Sequence, residues 1–256
     1  MTTNQKCGLL IPVHNEEKII PDLLSALKEF RVKNNSVINN VTLIDDHSDD
    51  KTKELILIES KNQPWIRLIS NKNPMNGYGS AISYGLKFLK KEGYDWVAII
   101  DSDLSNPLNQ AQEMLVHCQN LDSSRKIALV KANRFWGNKV NMVGVPFNRK
   151  IFSILANVVA RILSLNVSPD PTNGFRAIHV PSYPDFEPCV GFDSILQEIY
   201  QMKKAEKSLG YFNVRLRADI ALRNTTSFSY RIVTLMRYLR WNILIGLATI
   251  RTIAIR

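Results

Sequence analysis

Cysteine is scarce in this chain. There are three in 256 residues, Cys7, Cys118 and Cys189, far apart and odd in number. That argues against a disulfide framework or a paired-cysteine zinc site and fits reduced thiols in the cytoplasm. Long uncharged apolar runs are lacking too. In the C-terminal tail the longest is Trp241 to Ile250, well short of the about 20 residues a spanning helix needs. The start, "MTTNQKCGLL", has no basic region followed by a sustained apolar stretch, so no secretory leader is expected. No internal repeat or long low-complexity tract interrupts the chain. Acid is the minority charge: 23 Asp and Glu against 33 Lys and Arg, a net charge of +10. Nucleic acid, anionic lipid or a phosphate-rich small substrate would each suit that balance. No basic-aromatic motif accompanies it, so nucleic acid is not an expected partner.

Hydrophobic residues make up 45% of the chain, enough for one large domain with a real core. "CGLLIPV" reads as a buried strand that ends in the loop "HNEE". "EKIIPDLLSALKEF" places Ile19, Ile20, Leu23, Leu24 and Leu27 at helical spacing. Strand, helix and strand follow in "NNVTLIDD", "KTKELILIES" and "PWIRLISN". "GSAISYGLKFLKKEG" is a helix closed by Gly93, and "DWVAIIDSD" is a fourth strand. The alternation predicts an α/β domain, a mainly parallel sheet flanked by helices. Further on, "LNQAQEMLVHCQN" reads as a helix, "KIALVKANR" as a strand and "FNRKIFSILANVVARILSL" as a long helix. "SPDPTNGFRAIHVP" is a loop leading into a short strand. "DSILQEIYQMKKAEKSLG" reads as a helix stopped by Gly210, and "YFNVRLRADIAL" as a strand. From Arg215 onward arginines recur and Asp219 is the one acid. The tail fits an interfacial helix with snorkelling arginines, or a helix that packs on the domain or self-associates. The expected division is 1–228 for the domain and 229–256 for this basic, partly apolar extension.

Polar residues gather where strands end: His14, Asn15 and Glu16; Asp45 and Asp46; Asp101 and Asp103. In open α/β sheets, ligands sit at the carboxyl ends of the strands, so these loops should converge on one rim. Asp101 and Asp103 can reach one point at a strand end. With two phosphate oxygens they would make a hard-oxygen cage for Mg²⁺ or Mn²⁺. The alternative is plain capping of the next element. Asp45 and Asp46 can accept from a base NH and ribose hydroxyls, while Ser48 or Asp49 opens the next helix. Gly77, in "NPMNGYGSAISYG", could admit phosphate at a helix N-terminus. A tight turn with close helix packing fits that stretch better, because its spacing matches no phosphate-loop pattern.

Taken in order, "LLIPVHNEEKII", "LIDDHSDD", "NPMNGYGSAISYGL", "WVAIIDSDLSNP", "VKANRF", "NRKIFSILAN" and "SPDPTNGFRAI" resemble the inverting GT-A glycosyltransferases of family 2. Within them the chain is most similar to the dolichol-phosphate mannose synthase and undecaprenyl-phosphate glycosyltransferase branch, a likeness that "DPTNGFR" carries. The resemblance implies a metal and diphosphate site at Asp101 and Asp103. It implies a first nucleotide loop at Pro12, Asn15 and Glu16, and base and ribose contacts at Asp45 and Asp46. Arg134 and Arg149 match basic positions near the sugar and the acceptor phosphate. Asp170, Gly174, Phe175 and Arg176 match a loop beside the acceptor, and Arg223 a late phosphate-contacting arginine. Two departures stand out: His47 where the family often has glycine, and "RNTTSFS" where it has R-x-x-G-x-S-K.

The expected function is therefore transfer of a sugar, with inversion, from a nucleoside diphosphate sugar to an acceptor. A polyprenyl phosphate acceptor needs no strong base, because its oxygen is already anionic. A glycan hydroxyl would need one, and Asp170 is then the candidate, unless it only holds the "PTNGFR" turn. A non-catalytic nucleotide-sugar-binding or membrane-binding domain is the reading from another class. The expected location is cytoplasmic, peripheral on the inner face of an anionic membrane, with self-association left open.

Overall fold

The structure is a computed structural model that describes residues 5–34, 36–121, 126–137, 139–221 and 232–254. Its first part alternates strictly: β1 (Cys7–Val13), α1 (Ile20–Lys33), β2 (Ile38–Asp45), α2 (Thr52–Asn62), β3 (Ile66–Ser70), α3 (Tyr78–Lys91), β4 (Trp96–Ile99) and α4 (Leu108–Gln119). Then come β5 (Ile127–Asn133), the short strands β6 (Phe135–Trp136), β7 (Lys139–Val140) and β8 (Met142–Val143), and α5 (Phe147–Leu163). The last elements are β9 (Arg176–His179), α6 (Ser194–Lys204), β10 (Ser208–Asn213), β11 (Leu216–Arg217) and α7 (Ile232–Ala254).

One seven-stranded sheet runs β10-β5-β9-β4-β1-β2-β3. It is parallel except for β9, which is antiparallel to both β4 and β5. The alternating part of the chain could only build parallel pairs through its helical crossovers. β9 enters instead from a long loop after α5, so its direction is not set by a crossover helix. Strand β1 shows why the runs are continuously apolar. Leu9 and Ile11 face a layer with Leu23, Leu27 and Met114, and Leu10 faces the opposite layer with Ile82 and Leu86. Helices cover both faces, so both sets of side chains are buried. Pro12 is tolerated in this central strand because β4 pairs only as far as Leu10, which leaves no ladder bond there for the missing N–H to break.

One feature differs from the sequence expectations. Gly210 does not stop α6; the helix ends at Lys204 and Gly210 lies inside β10. Glu206, with φ 55°, makes the left-handed reversal that glycine usually supplies. The glycine is used instead for close approach: a Cβ on it would sit 3.3 Å from the Val130 side chain. The tail is helical and packs on the domain, one of the alternatives its sequence offered. Ile245 and Asn242 are buried, Trp241 packs on Tyr200, and α7 lies against α6 and α5. Gly246 allows that contact, since a Cβ there would meet the Leu163 carbonyl at 2.3 Å. No helix among the described residues is long and apolar enough to cross a membrane.

Candidate active site

The loops after β1 and β2 are laced together at the carboxyl rim of the sheet. The Asp46 amide donates to the Val13 carbonyl at 2.9 Å, and the Asn15 amide to Ser48 Oγ at 3.0 Å. Asn15 Oδ1 accepts from the Asp49 amide at 2.8 Å, and the Glu16 amide donates to Thr52 Oγ1 at 2.7 Å. Asn15 and His47 both adopt left-handed φ, 52° and 61°. His47 therefore occupies the backbone conformation that favours the glycine expected there.

The paired acids of the second loop face inward. Asp45 is fully buried; it accepts from the Ser48 amide and meets Lys53 Nζ at 3.2 Å. Asp46 is nearly buried, with Oδ1 accepting from Asn71 at 2.8 Å and Oδ2 from the Gly77 amide at 2.5 Å. The base and ribose contacts expected of these two carboxylates stand beside intramolecular bonds that already use them. They pin the second loop to α2 and to the start of α3. Gly77 follows the same logic. A Cβ on it would meet Val190 at 2.4 Å, and one on Gly79 would meet the Cys189 carbonyl at 1.9 Å. The N-terminus of α3 is thereby closed by the Cys189–Val190 segment rather than open to a phosphate.

Asp101 and Asp103 follow β4 at the middle of the rim, both partly exposed. Asp103 Oδ1 accepts from the Ser105 amide at 2.9 Å, a local turn that holds the carboxylate at the loop tip. A Cβ on Gly174 would lie 4.0 Å from Asp101 Oδ2 and 3.7 Å from the Tyr78 hydroxyl, which places Asp101 against the "PTNGFR" turn. Burial pushes Tyr78 up to about 12, with Arg176 opposing the shift and Asp101 adding to it. Among the described residues no group of three or more His, Cys, Asp or Glu forms a metal cage. Two rim carboxylates suit a Mg²⁺ or Mn²⁺ whose remaining ligands are diphosphate oxygens and water.

Beyond β5 the structure joins Arg134 to Asp170. Arg134 Nε and Nη2 donate to the two Asp170 oxygens at 2.7 and 2.9 Å, and its amide donates to the same carboxylate at 3.2 Å. Asp170 is fully buried, and Asn157 of α5 donates to the Pro169 carbonyl behind it at 3.1 Å. Arg176, matched to the loop beside the acceptor, is also fully buried. It holds Glu198 at 2.5 and 2.8 Å, the Tyr78 hydroxyl at 3.0 Å and the Gly174 carbonyl at 2.6 Å. Burial opposes its charge, and Glu198 and Tyr78 more than restore it. Its donors shape the turn matched to the loop beside the acceptor. Arg149 stands partly exposed in the first turn of α5. Arg223 lies outside the described residues.

The model of the family described as "Glycosyl transferase family 2" matches residues 9–152, more than half of the chain. The chain belongs to glycosyl transferase family 2. Among its relatives, this family 2 chain is 27% identical over 174 residues to a dolichyl-phosphate beta-glucosyltransferase of Trichomonas vaginalis, covering 66% of this chain and 51% of that protein. It is 36% identical over 110 residues to an undecaprenyl-phosphate 4-deoxy-4-formamido-L-arabinose transferase of Photorhabdus laumondii, covering 40% and 30%. The chain thus spans about half the length, or less, of these curated relatives. Its fold is that of glucosyl-3-phosphoglycerate synthase from Mycobacterium tuberculosis, solved with Mn²⁺, UDP and glucosyl-3-phosphoglycerate. The TM-score is 0.64 at 16% identity, over 96% of this chain and 79% of that one.

Sequence reading did not single out Tyr78, Glu198, Asn157 or Lys131. Weak signals existed. Glu198 interrupts the apolar face of α6 between Ile195 and Ile199, and Lys131 interrupts a buried strand.

Proposed function

We propose that this chain transfers a sugar, with inversion, from a nucleoside diphosphate sugar to a polyprenyl phosphate presented at an anionic membrane surface. The observation that carries the acceptor half is α5. One side of it packs Asn157 onto the Asp170 turn. The other exposes Phe147, Ile151, Leu155, Val158, Val159 and Ile162. The adjoining α7 exposes Val233, Met236, Ile243, Leu247 and Ile250. Neither helix holds an acid, while Arg149, Lys150, Arg161, Arg237, Arg240 and Arg251 lie on them. An apolar face with basic residues and no acids complements an anionic lipid surface. In this reading 1–228 form the catalytic domain, and 229–256 add one of the two helices that meet the membrane.

Asp101 and Asp103 would hold a Mg²⁺ or Mn²⁺ against the donor diphosphate, as the Mn²⁺ and UDP of the neighbouring synthase suggest. Bound there, the metal would neutralise charge building on the departing diphosphate. Asp170 orients Arg134 toward the transferred group, and Arg149 steers the acceptor phosphate. A phosphate oxygen is nucleophilic at neutral pH, so no side chain has to remove a proton. The Asp170 geometry favours this acceptor over a glycan hydroxyl. Arg134 and Asn157 already donate to its two oxygens, and the carboxylate is fully buried, so an incoming hydroxyl would have to displace them. Incubation with UDP-glucose, Mn²⁺ and undecaprenyl phosphate, followed by solvent extraction, tests the reading directly. Sugar should pass into the lipid phase and EDTA should abolish it. Transfer to a soluble glycan in place of the lipid would overturn the acceptor assignment.

A further inference from the structure

Lys131 has no part in the chemistry above, yet it is placed at the centre of the site's support. It stands in the middle of β5 with its side chain fully buried. Its ammonium donates to the backbone carbonyl of Asn173. Pairing of β5 with β9 puts it opposite Arg176. One ion pair, Arg134–Asp170, joins the end of its own strand to the loop before β9. Another, Arg176–Glu198, joins β9 to α6. These four groups are the charges that bear on it. With Lys131 protonated, three cations face two carboxylates; with it neutral, the cluster balances. A buried amine is costly where an apolar side chain would pack as well, and its neighbours Leu129, Val130 and Ala132 are all apolar and buried. The residue next to its partner, Gly174, is the one that lies against Asp101.

We propose that Lys131 is a proton-linked positioning residue: its ammonium holds the Asn173–Gly174 turn beneath Asp101, its extra charge favours the donor diphosphate, and donor binding therefore takes up a proton there. The inference rests on the donor half of the function proposed above and not on the acceptor. Burial brings Lys131 down to about 7, with Arg176 lowering it further and Asp170 and Glu198 opposing. Both protonation states are then populated near neutrality, and an added anion shifts the balance toward the ammonium.

Calorimetric titration of the full chain with UDP and Mn²⁺ between pH 7 and 9 tests this. Wild-type affinity should fall with rising pH, approaching about tenfold per unit. Lys131→Met should bind more weakly at pH 7 and lose the slope. Lys131→Arg, which stays charged, should hold its affinity at pH 9. A Lys131→Met protein that keeps the wild-type slope overturns the proposal. NMR of the ¹³Cε-lysine-labelled wild type gives a second reading that needs no variant fold. One resonance should titrate near neutrality and move upward in pH when UDP and Mn²⁺ are added. If every lysine titrates with the exposed ones, the proposal is wrong even where UDP binds. Failure of the wild type to bind UDP at all would instead defeat the donor reading, and this inference with it.

Discussion

Asp170 grips Arg134 through both carboxylate oxygens, at 2.7 and 2.9 Å, from a fully buried position. The pair is planar recognition of the kind arginine makes best. Of the two roles open to Asp170, base for a hydroxyl acceptor or holder of the turn, the proposed function uses neither alone and has it orient Arg134.

Asp170→Asn and Arg134→Gln should therefore each slow transfer, by about 10- to 100-fold, since a charge-assisted bond is worth roughly 1.5–3 kcal/mol. The double variant should be little worse than either single one, because both remove the same contact. Initial rates for the three proteins, with melting curves to check folding, decide it. Additive losses would mean separate roles.

Asp103→Asn should lower turnover more than about 100-fold while leaving the melting temperature nearly unchanged. The side chain is partly exposed, and its bond from the Ser105 amide is one that asparagine can also accept. Rates measured over a range of Mn²⁺ concentrations check this. An unchanged rate would remove the metal role.

Arg149→Ala should raise KM for the polyprenyl phosphate more than about tenfold and leave donor KM unaltered, the loss of one charged contact. Steady-state kinetics with each substrate varied in turn separates the two. Equal loss for both substrates would move Arg149 to the nucleotide side.

Leu155→Glu with Ile162→Glu should abolish binding to phosphatidylglycerol vesicles without unfolding the chain, because both side chains are mostly exposed, at 59% and 66%. Wild-type binding should weaken with salt, as attraction to anionic lipid does. Vesicle sedimentation at two salt concentrations reads both effects. Undiminished binding by the double variant would take α5 out of the membrane face.

Stability should respond to Lys131 in alkali. Its folded value is about 7, and an unfolded lysine titrates near about 10.4. Between those values the unfolded chain holds the proton and the folded chain does not, so stability rises with pH across that window. Lys131→Met should flatten the rise. Urea denaturation at pH 7, 8 and 9, compared between the two proteins, measures it.

Much of the rim was legible in sequence because the signal is local. Asp45, Asp46, Asp101 and Asp103 each follow an apolar run that must be a buried strand, and a strand's end places them. The helices were legible for the same reason: Ile20, Leu23, Leu24 and Leu27 recur at the helical period and all are buried. Gly210 misled because glycine serves both as a helix stop and as a close-packing residue in a strand. The partner of Arg176 was not legible, because Glu198 lies 22 residues further on in a separate helix.

Local order along the chain thus determined the alternating strands and helices, the family, and which acids reach the carboxyl edge of the sheet. The elements and the acids follow from periodicity and from where apolar runs stop, and the family from a resemblance carried by short motifs in order. The tertiary structure decided what each charged side chain is left to do. Asp46 turns to the Gly77 amide, Arg176 to Glu198, Asp170 to Arg134, and Lys131 to the Asn173 carbonyl. A buried charge must find its partner wherever folding brings one. That partner comes from a distant segment, so no short stretch of sequence can name it.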